Sequence, residues 1–280
     1  MSKRTRQREL ARLRARRDAE RRKAARRRAL VLYGGLGVLV LVAGISGGLA
    51  LLNREPAKSA STTTVAPTTT QPAPKTNDAR ADAPTAPAQV ACGGKVPKRH
   101  QHPTFKSAPT AKLDPARTYQ AVFQTSCGSF TVKLDPGHAP ITSANFVFLA
   151  RKGFYDSTWF HRIVPGGAAG IAVVQGGDPK GNGQGGPGYT IKDEKPKGKD
   201  PYRKYSVAMA NTGQANTGGS QFFISTQDNS KTLPPDYAVF GQVVSGGPVV
   251  GKIAQVPVGG AQGDTPTQSV WIEKLTIKVS

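Results

Sequence analysis

Residues 30–52 carry no charged side chain, and this run constrains the chain more than any other feature. At ~1.5 Å of rise per residue, a helix of that length crosses a hydrocarbon core of roughly 30 Å. The run predicts a transmembrane helix over 30–52. The arm before it, 1–29, holds 14 Lys and Arg against three acids, which places half of the formal net charge of +22 in the first tenth of the chain. The far flank offers only Arg54 and Glu55. The positive-inside rule then predicts a single-pass cell-membrane protein with its N-terminus cytoplasmic and its C-terminal domain extracytoplasmic. A cleaved signal peptide is the rival reading. Its apolar region would span only ~7–15 residues, but the small-x-small triplet Ala57-Lys58-Ser59 leaves cleavage open. The basic arm suits acidic lipid headgroups. Nucleic acid is the weaker choice of partner, because an adjacent membrane span already accounts for the charge.

From 53 to 113 the chain is rich in Thr, Pro and Ala and poor in aromatics. Such a composition buries too little apolar surface to offset the entropy of ordering, which predicts a disordered tether. Its Thr/Pro stretches are of the kind that carry O-linked glycans. Cys92 near its end and Cys127 beyond it are the two cysteines. In an oxidising compartment they are candidates for one disulfide; the alternative is two unrelated thiols. Cys92, His100 and His102 match no standard metal-ligand spacing, so no metal is expected.

The pattern changes at 114–280, the predicted folded domain. TYQAVFQTS and SFTVKLD alternate around Cys127-Gly128 as a β-hairpin does. Pro140 opens a helix, PITSANFVFLARKG, with Phe146, Leu149 and Ala150 at helical spacing and Gly153 as its stop. Short strands follow in STWFHRIV, IAVVQGG, YSVAMAN, SQFFIST and YAVFGQVV, then a helix PVVGKIAQV and a last strand WIEKLTIKV. Many short strands with Gly-rich turns and two helices give a mainly β domain, barrel or sandwich. The run GGDPKGNGQGGPG lacks the Gly-Lys-Ser/Thr ending of a phosphate loop and no helix follows it, so it reads as a surface loop.

Four blocks within this domain carry the chemistry: WFHRIV, VVQGGDP, AMAN and GGSQFFIST. They present Arg162, Gln175, Asn211 and Gln221 among apolar neighbours, with no Ser/His/Asp set and no metal cage. Such a site binds and bends a peptide without moving protons. In these blocks, and from about Tyr119 to the C-terminus, the chain resembles the cyclophilins, peptidyl-prolyl cis-trans isomerases. The resemblance implies a closed eight-stranded antiparallel barrel capped by two helices, no cofactor, and proline-containing polypeptides as partners. It implies catalytic roles for Arg162, Gln175 and Asn211. It implies substrate contacts for Phe160, Val173, Ala210, Gln221, Phe223, Leu233 and Tyr237. Together with the membrane span, it points to folding of exported or cell-envelope proteins; the alternative is a proline-segment binding module or holdase with incidental catalysis.

The chain also departs from that family. Ala172 stands where an aromatic is often found, Thr232 where a tryptophan is associated with tight cyclosporin binding, and Tyr237 where a histidine is usual. The connection VPGGAAGIAVV between Arg162 and Gln175 is longer than usual. Weak cyclosporin inhibition with retained catalysis is the expectation that follows.

Overall fold

The computed structural model describes residues 86–280, apart from 99, 168 and 169. The basic arm, the predicted span at 30–52 and the tether up to 85 lie outside the described residues. Among the described residues no helix is long and apolar enough to cross a membrane.

Alternating burial builds the domain. β1 (Tyr119–Thr125) turns Ala121, Phe123 and Thr125 inward, and β2 (Gly128–Leu134) turns Phe130, Val132 and Leu134 inward. The two pair antiparallel, with Phe123 opposite Phe130 and their rings stacked at 4.5 Å. The remaining strands are β3 (Thr158–Trp159), β4 (Arg162–Pro165), β5 (Ala172–Gly176), β6 (Ser206–Met209), β7 (Phe222–Ser225), β8 (Val239–Ser245), β9 (Val258–Gly259), β10 (Thr265–Pro266) and β11 (Trp271–Val279). One curled antiparallel sheet of nine strands runs in the order β3-β11-β1-β2-β8-β6-β7-β5-β4, and β9 with β10 forms a separate hairpin. The count exceeds the expected eight because Phe160 and His161 interrupt the segment from Thr158 to Pro165, so that β3 and β4 take opposite edges of the sheet.

Two helices pack on this sheet: α1 (Pro140–Arg151) against β11 and β8, and α2 (Gly247–Ala254) against β2, β4 and β5. α1 starts at Pro140, whose missing N–H costs nothing there. Ala139 offers no side-chain cap, and Glu194 supplies one from a distant loop. Its carboxylate accepts from the Ile141 and Thr142 N–H groups at 2.9 and 2.8 Å. From α1, Phe146 reaches the centre of the core, 4.9 Å from the Tyr155 ring, 5.0 Å from Phe240 and 5.8 Å from Phe222. α2 is entered through Gly246 at φ 75°, where any Cβ would collide with the Ser129 carbonyl and Phe130.

Within the segment 53–113, several described residues from 86 onward are held against the domain. Val90 bridges Ser269, and Ala91 is buried in the core with its N–H on the Ser269 carbonyl at 2.9 Å. Cys92 is disulfide-bonded to Cys127 in the β1–β2 turn. Buried His102 meets the Phe154 carbonyl at 2.8 Å, and Phe105 sets its ring edge against Phe148 at 4.9 Å while donating its N–H to the Pro187 carbonyl. These anchors come one at a time along irregular chain. A strap of that kind has no period, so pattern reading passes over it.

Candidate functional site

Strand register assembles the site. Arg162 on β4 lies directly opposite Gln175 on β5, Gln175 opposite Phe223 on β7, and Phe223 opposite Ala208 on β6. Their sequence neighbours Ile163, Val174, Phe222, Ile224 and Val207 belong to the core cluster. A strand sends successive side chains to opposite faces, so Arg162, Gln175 and Phe223 share the face away from that core.

A chain of hydrogen bonds runs along this face. Arg162 donates through Nε to Asp264 Oδ2 at 2.7 Å and through Nη1 to Gln175 Oε1 at 3.4 Å. Gln175 Nε2 donates to Gln221 Oε1 at 3.0 Å, and Gln221 Nε2 donates to the Gly183 and Gly185 carbonyls, both at 3.0 Å. The Gly-rich run therefore serves as an acceptor wall for Gln221. Asp178, fully buried, shapes that loop by accepting from the N–H groups of Lys180, Asn182 and Gly183.

Beside the polar row stands an apolar wall. Val173, Phe223 and Leu233 are 3, 5 and 7% exposed, yet none belongs to the core cluster. Val173 and Phe223 share the face that carries Gln175, and Leu233 lies in the loop before β8. The Tyr237 ring meets Phe223 edge-on at 5.3 Å, and Tyr202 lies 6.4 Å from Phe223 and 6.2 Å from Tyr237. The Tyr202 hydroxyl accepts from the Tyr237 N–H at 3.0 Å and donates to its carbonyl at 3.2 Å, which fixes the backbone there. Burial raises the Tyr237 phenol above its ordinary range, with Asp236 adding to the effect and Arg162 opposing it. It is a neutral hydroxyl at physiological pH.

Asn229 clips this wall to β5. Fully buried, it accepts from the Ala172 N–H and donates to the Ala172 carbonyl, both at 2.9 Å, while its own carbonyl takes the Thr232 and Leu233 N–H groups. Asn229→Ala is expected to destabilise the domain by about 1–3 kcal/mol by orphaning a buried amide. Urea denaturation checks this, and a midpoint unchanged from wild type would mean that the loop is held elsewhere.

Asn211 lies just beyond β6, and its Nδ2 donates to the Asp236 carbonyl at 3.1 Å. Ala210 beside it bonds through its N–H to the Gln221 carbonyl at 2.9 Å, which brings both residues to the Gln221 end of the row. A shallow hollow lined by Thr142, Ile191, Lys192, Asp193, Met209, Asn211, Gly218 and Ala238 lies beside Asn211, and Arg162 is not part of its lining.

Phe160, one of the expected contact residues, lies apart from the polar row. Its ring is fully buried inside the core, edge-on to Phe222 at 6.2 Å. Strict alternation from Arg162 would turn it outward with the arginine. The break at Phe160 and His161 shifts the parity, so Phe160 and Ile163 both point inward. His161 in that break is buried with neither ring nitrogen hydrogen-bonded. Burial lowers its pKa, so it stays neutral beside Arg162.

Asp264, Tyr202 and Asn229 were not legible as site residues. Each reaches the site from an irregular loop, where no period marks which side chains turn inward. Among the described residues no group of three or more His, Cys, Asp or Glu gathers as a metal site. The arrangement offers a held cation, amide donors and acceptors in line, and an apolar wall. It can bind an extended peptide and stabilise charge on it, but it holds no nucleophile poised against a base.

Comparison with known proteins places this geometry. Residues 121–277 match the family described as cyclophilin type peptidyl-prolyl cis-trans isomerase/CLD. The chain is 38% identical over 167 residues to the peptidyl-prolyl cis-trans isomerase-like 1 of Gibberella zeae, covering 57% of this chain and 95% of that protein. It is 35% identical over 196 residues to the probable peptidyl-prolyl cis-trans isomerase B of Mycobacterium tuberculosis, covering 65% of this chain and 59% of that protein. Among solved structures, a Cryptosporidium parvum cyclophilin type isomerase crystallised in the presence of the dipeptide Ala-Pro matches with a TM-score of 0.51 at 28% identity, over 57% of this chain and 98% of that one.

Proposed function

This chain belongs to the cyclophilin-type peptidyl-prolyl cis-trans isomerase family, and from that premise we propose how its own residues rotate an X-Pro bond and where they do so. Rotation must break C–N resonance against a barrier of ~18–20 kcal/mol, yet it makes no bond and moves no proton. The enzyme therefore has to favour the twisted amide over both planar forms. In the twisted state the prolyl nitrogen regains its lone pair and accepts a hydrogen bond. Arg162 donates to it, Gln175 orients the arginine and holds the peptide carbonyl, and the main chain at Asn211 holds the residue before proline. Val173, Phe223 and Leu233 take the proline ring, where burial contributes ~1.5–3 kcal/mol. Ala210, Gln221 and Tyr237 line the rest of the groove. The observation that carries this reading is the paired register of Arg162, Gln175 and Phe223 across three neighbouring strands. Taken as one bent strand, Thr158–Pro165 joins both edges of the sheet and closes it as an eight-stranded barrel.

The proposed setting is the outer face of a cell membrane. Residues 1–29 form a cytoplasmic arm, 30–52 the span, and the tether carries the isomerase domain outside, where it acts on exported and cell-envelope proteins. The Cys92–Cys127 disulfide supports an oxidising compartment.

Isomerisation of an Ala-Pro peptide by the purified full chain tests the activity; a rate equal to the uncatalysed one would sink it and leave the binding-module alternative. Protease accessibility of the C-terminal domain in intact cells tests the topology. Cyclosporin is expected to inhibit only weakly. Thr232 is exposed and turns its hydroxyl to the Asn229 carbonyl at 3.1 Å, offering no broad ring surface. Nanomolar inhibition would refute that.

A further inference from the structure

We infer that Asp264 is a positioning residue for Arg162: it holds the guanidinium by Nε so that the terminal nitrogens are left to the peptide. The inference rests on the isomerase reading above. Asp264 sits on the excursion between α2 and β11, immediately before β10, outside the nine-stranded sheet. It grips β4 at two successive residues. Its main-chain carbonyl accepts the Ile163 N–H at 2.8 Å, and its carboxylate accepts Arg162 Nε at 2.7 Å. The backbone bond fixes where the carboxylate stands, so the ion pair is set by the fold rather than by a chance meeting of two surface side chains.

The alternative anchor is weaker. The Arg162 Nη1 to Gln175 Oε1 distance is 3.4 Å, beyond the usual range for such a bond, against 2.7 Å to Asp264. Gln175 alone would leave the end of a long, rotatable side chain free to swing. A charge-assisted bond at Nε orients the plane of the guanidinium. The pair is also partly withdrawn from water, with side-chain exposures of 24% for Arg162 and 15% for Asp264. No partner besides Asp264 and Gln175 engages the guanidinium among the described residues. The remaining donors are thus oriented before substrate arrives, and none has to reorganise as the amide twists. Asp264 touches no peptide atom in this scheme and acts only through Arg162.

The test is a double-mutant cycle on the full chain, with kcat and KM for an Ala-Pro peptide measured for wild type, D264A, D264N, R162A and R162A/D264A. Misplacing the arginine by D264A is expected to lower kcat roughly ten- to a hundredfold, with KM little changed. D264N keeps an oxygen acceptor without its charge and is expected to recover part of the loss. In the R162A background, adding D264A is expected to change nothing further. Wild-type kcat in D264A, or the same loss with and without Arg162, overturns the inference and leaves the isomerase reading intact. An inactive wild type sinks both. Should D264A not fold, D264N and R162A/D264N run the same cycle.

Discussion

Arg162→Ala is expected to lower kcat/KM for an Ala-Pro peptide by roughly 10²- to 10³-fold, the usual loss when one preorganised donor to developing charge is removed. Arg162 lies on the face away from the core, so the core aromatics keep their packing, and the Asp264 carboxylate gains water in place of its partner. Thermal unfolding is therefore expected to shift little. Lysine is not expected to restore activity, because an ammonium cannot donate to Asp264 and Gln175 in a plane and still present a third donor to the prolyl nitrogen. Activity unchanged in Arg162→Ala would remove the arginine from the mechanism and leave the apolar wall as the whole of the site.

The second large effect concerns stability. Opening the Cys92–Cys127 bridge, by reduction or by the double serine variant, frees a loop of 35 residues. The chain-entropy argument puts the loss at about 3–4 kcal/mol. For a domain of this size, that lowers Tm by roughly 6–16 °C. Chemical unfolding with and without reductant measures it. Peptide isomerisation by the still-folded reduced protein is expected to be preserved, since the hydrogen bonds of the Arg162 row run to Asp264, to one another and to the Gly183 and Gly185 carbonyls, all outside the strap. Equal stability in both redox states would mean that Ala91, His102 and Phe105 hold the strap without the bridge.

Regular elements were readable in the sequence because period and turn chemistry agree there. Phe123 and Phe130 alternate toward the core on either side of the Cys127 turn, and Pro140 marks the start of α1. The polar row was readable as a set because its members sit in short motifs on strands or at their ends. What could not be read depends on irregular chain. Phe160 changed face because two residues of broken strand altered its parity. Asp264 is 102 residues from Arg162 and arrives on a hairpin of only two residues per strand, too short to leave a pattern. The strap from Gln89 to Phe105 looks like tether by composition, yet Ala91, His102 and Phe105 each find a separate seat. Sequence windows average over such single anchors.

The bridge between Cys92 and Cys127 also sets how the domain bears load. A pull applied to residues before Cys92 reaches the disulfide before it reaches Tyr119, and passes through the sulfurs directly to the β1–β2 turn. The chain between the two cysteines, which includes the rest of the strap and all of β1, is bypassed and carries no tension. A domain towed by its N-terminal end would therefore keep β1 seated between β2 and β11, and only a reductant would expose that strand to the force.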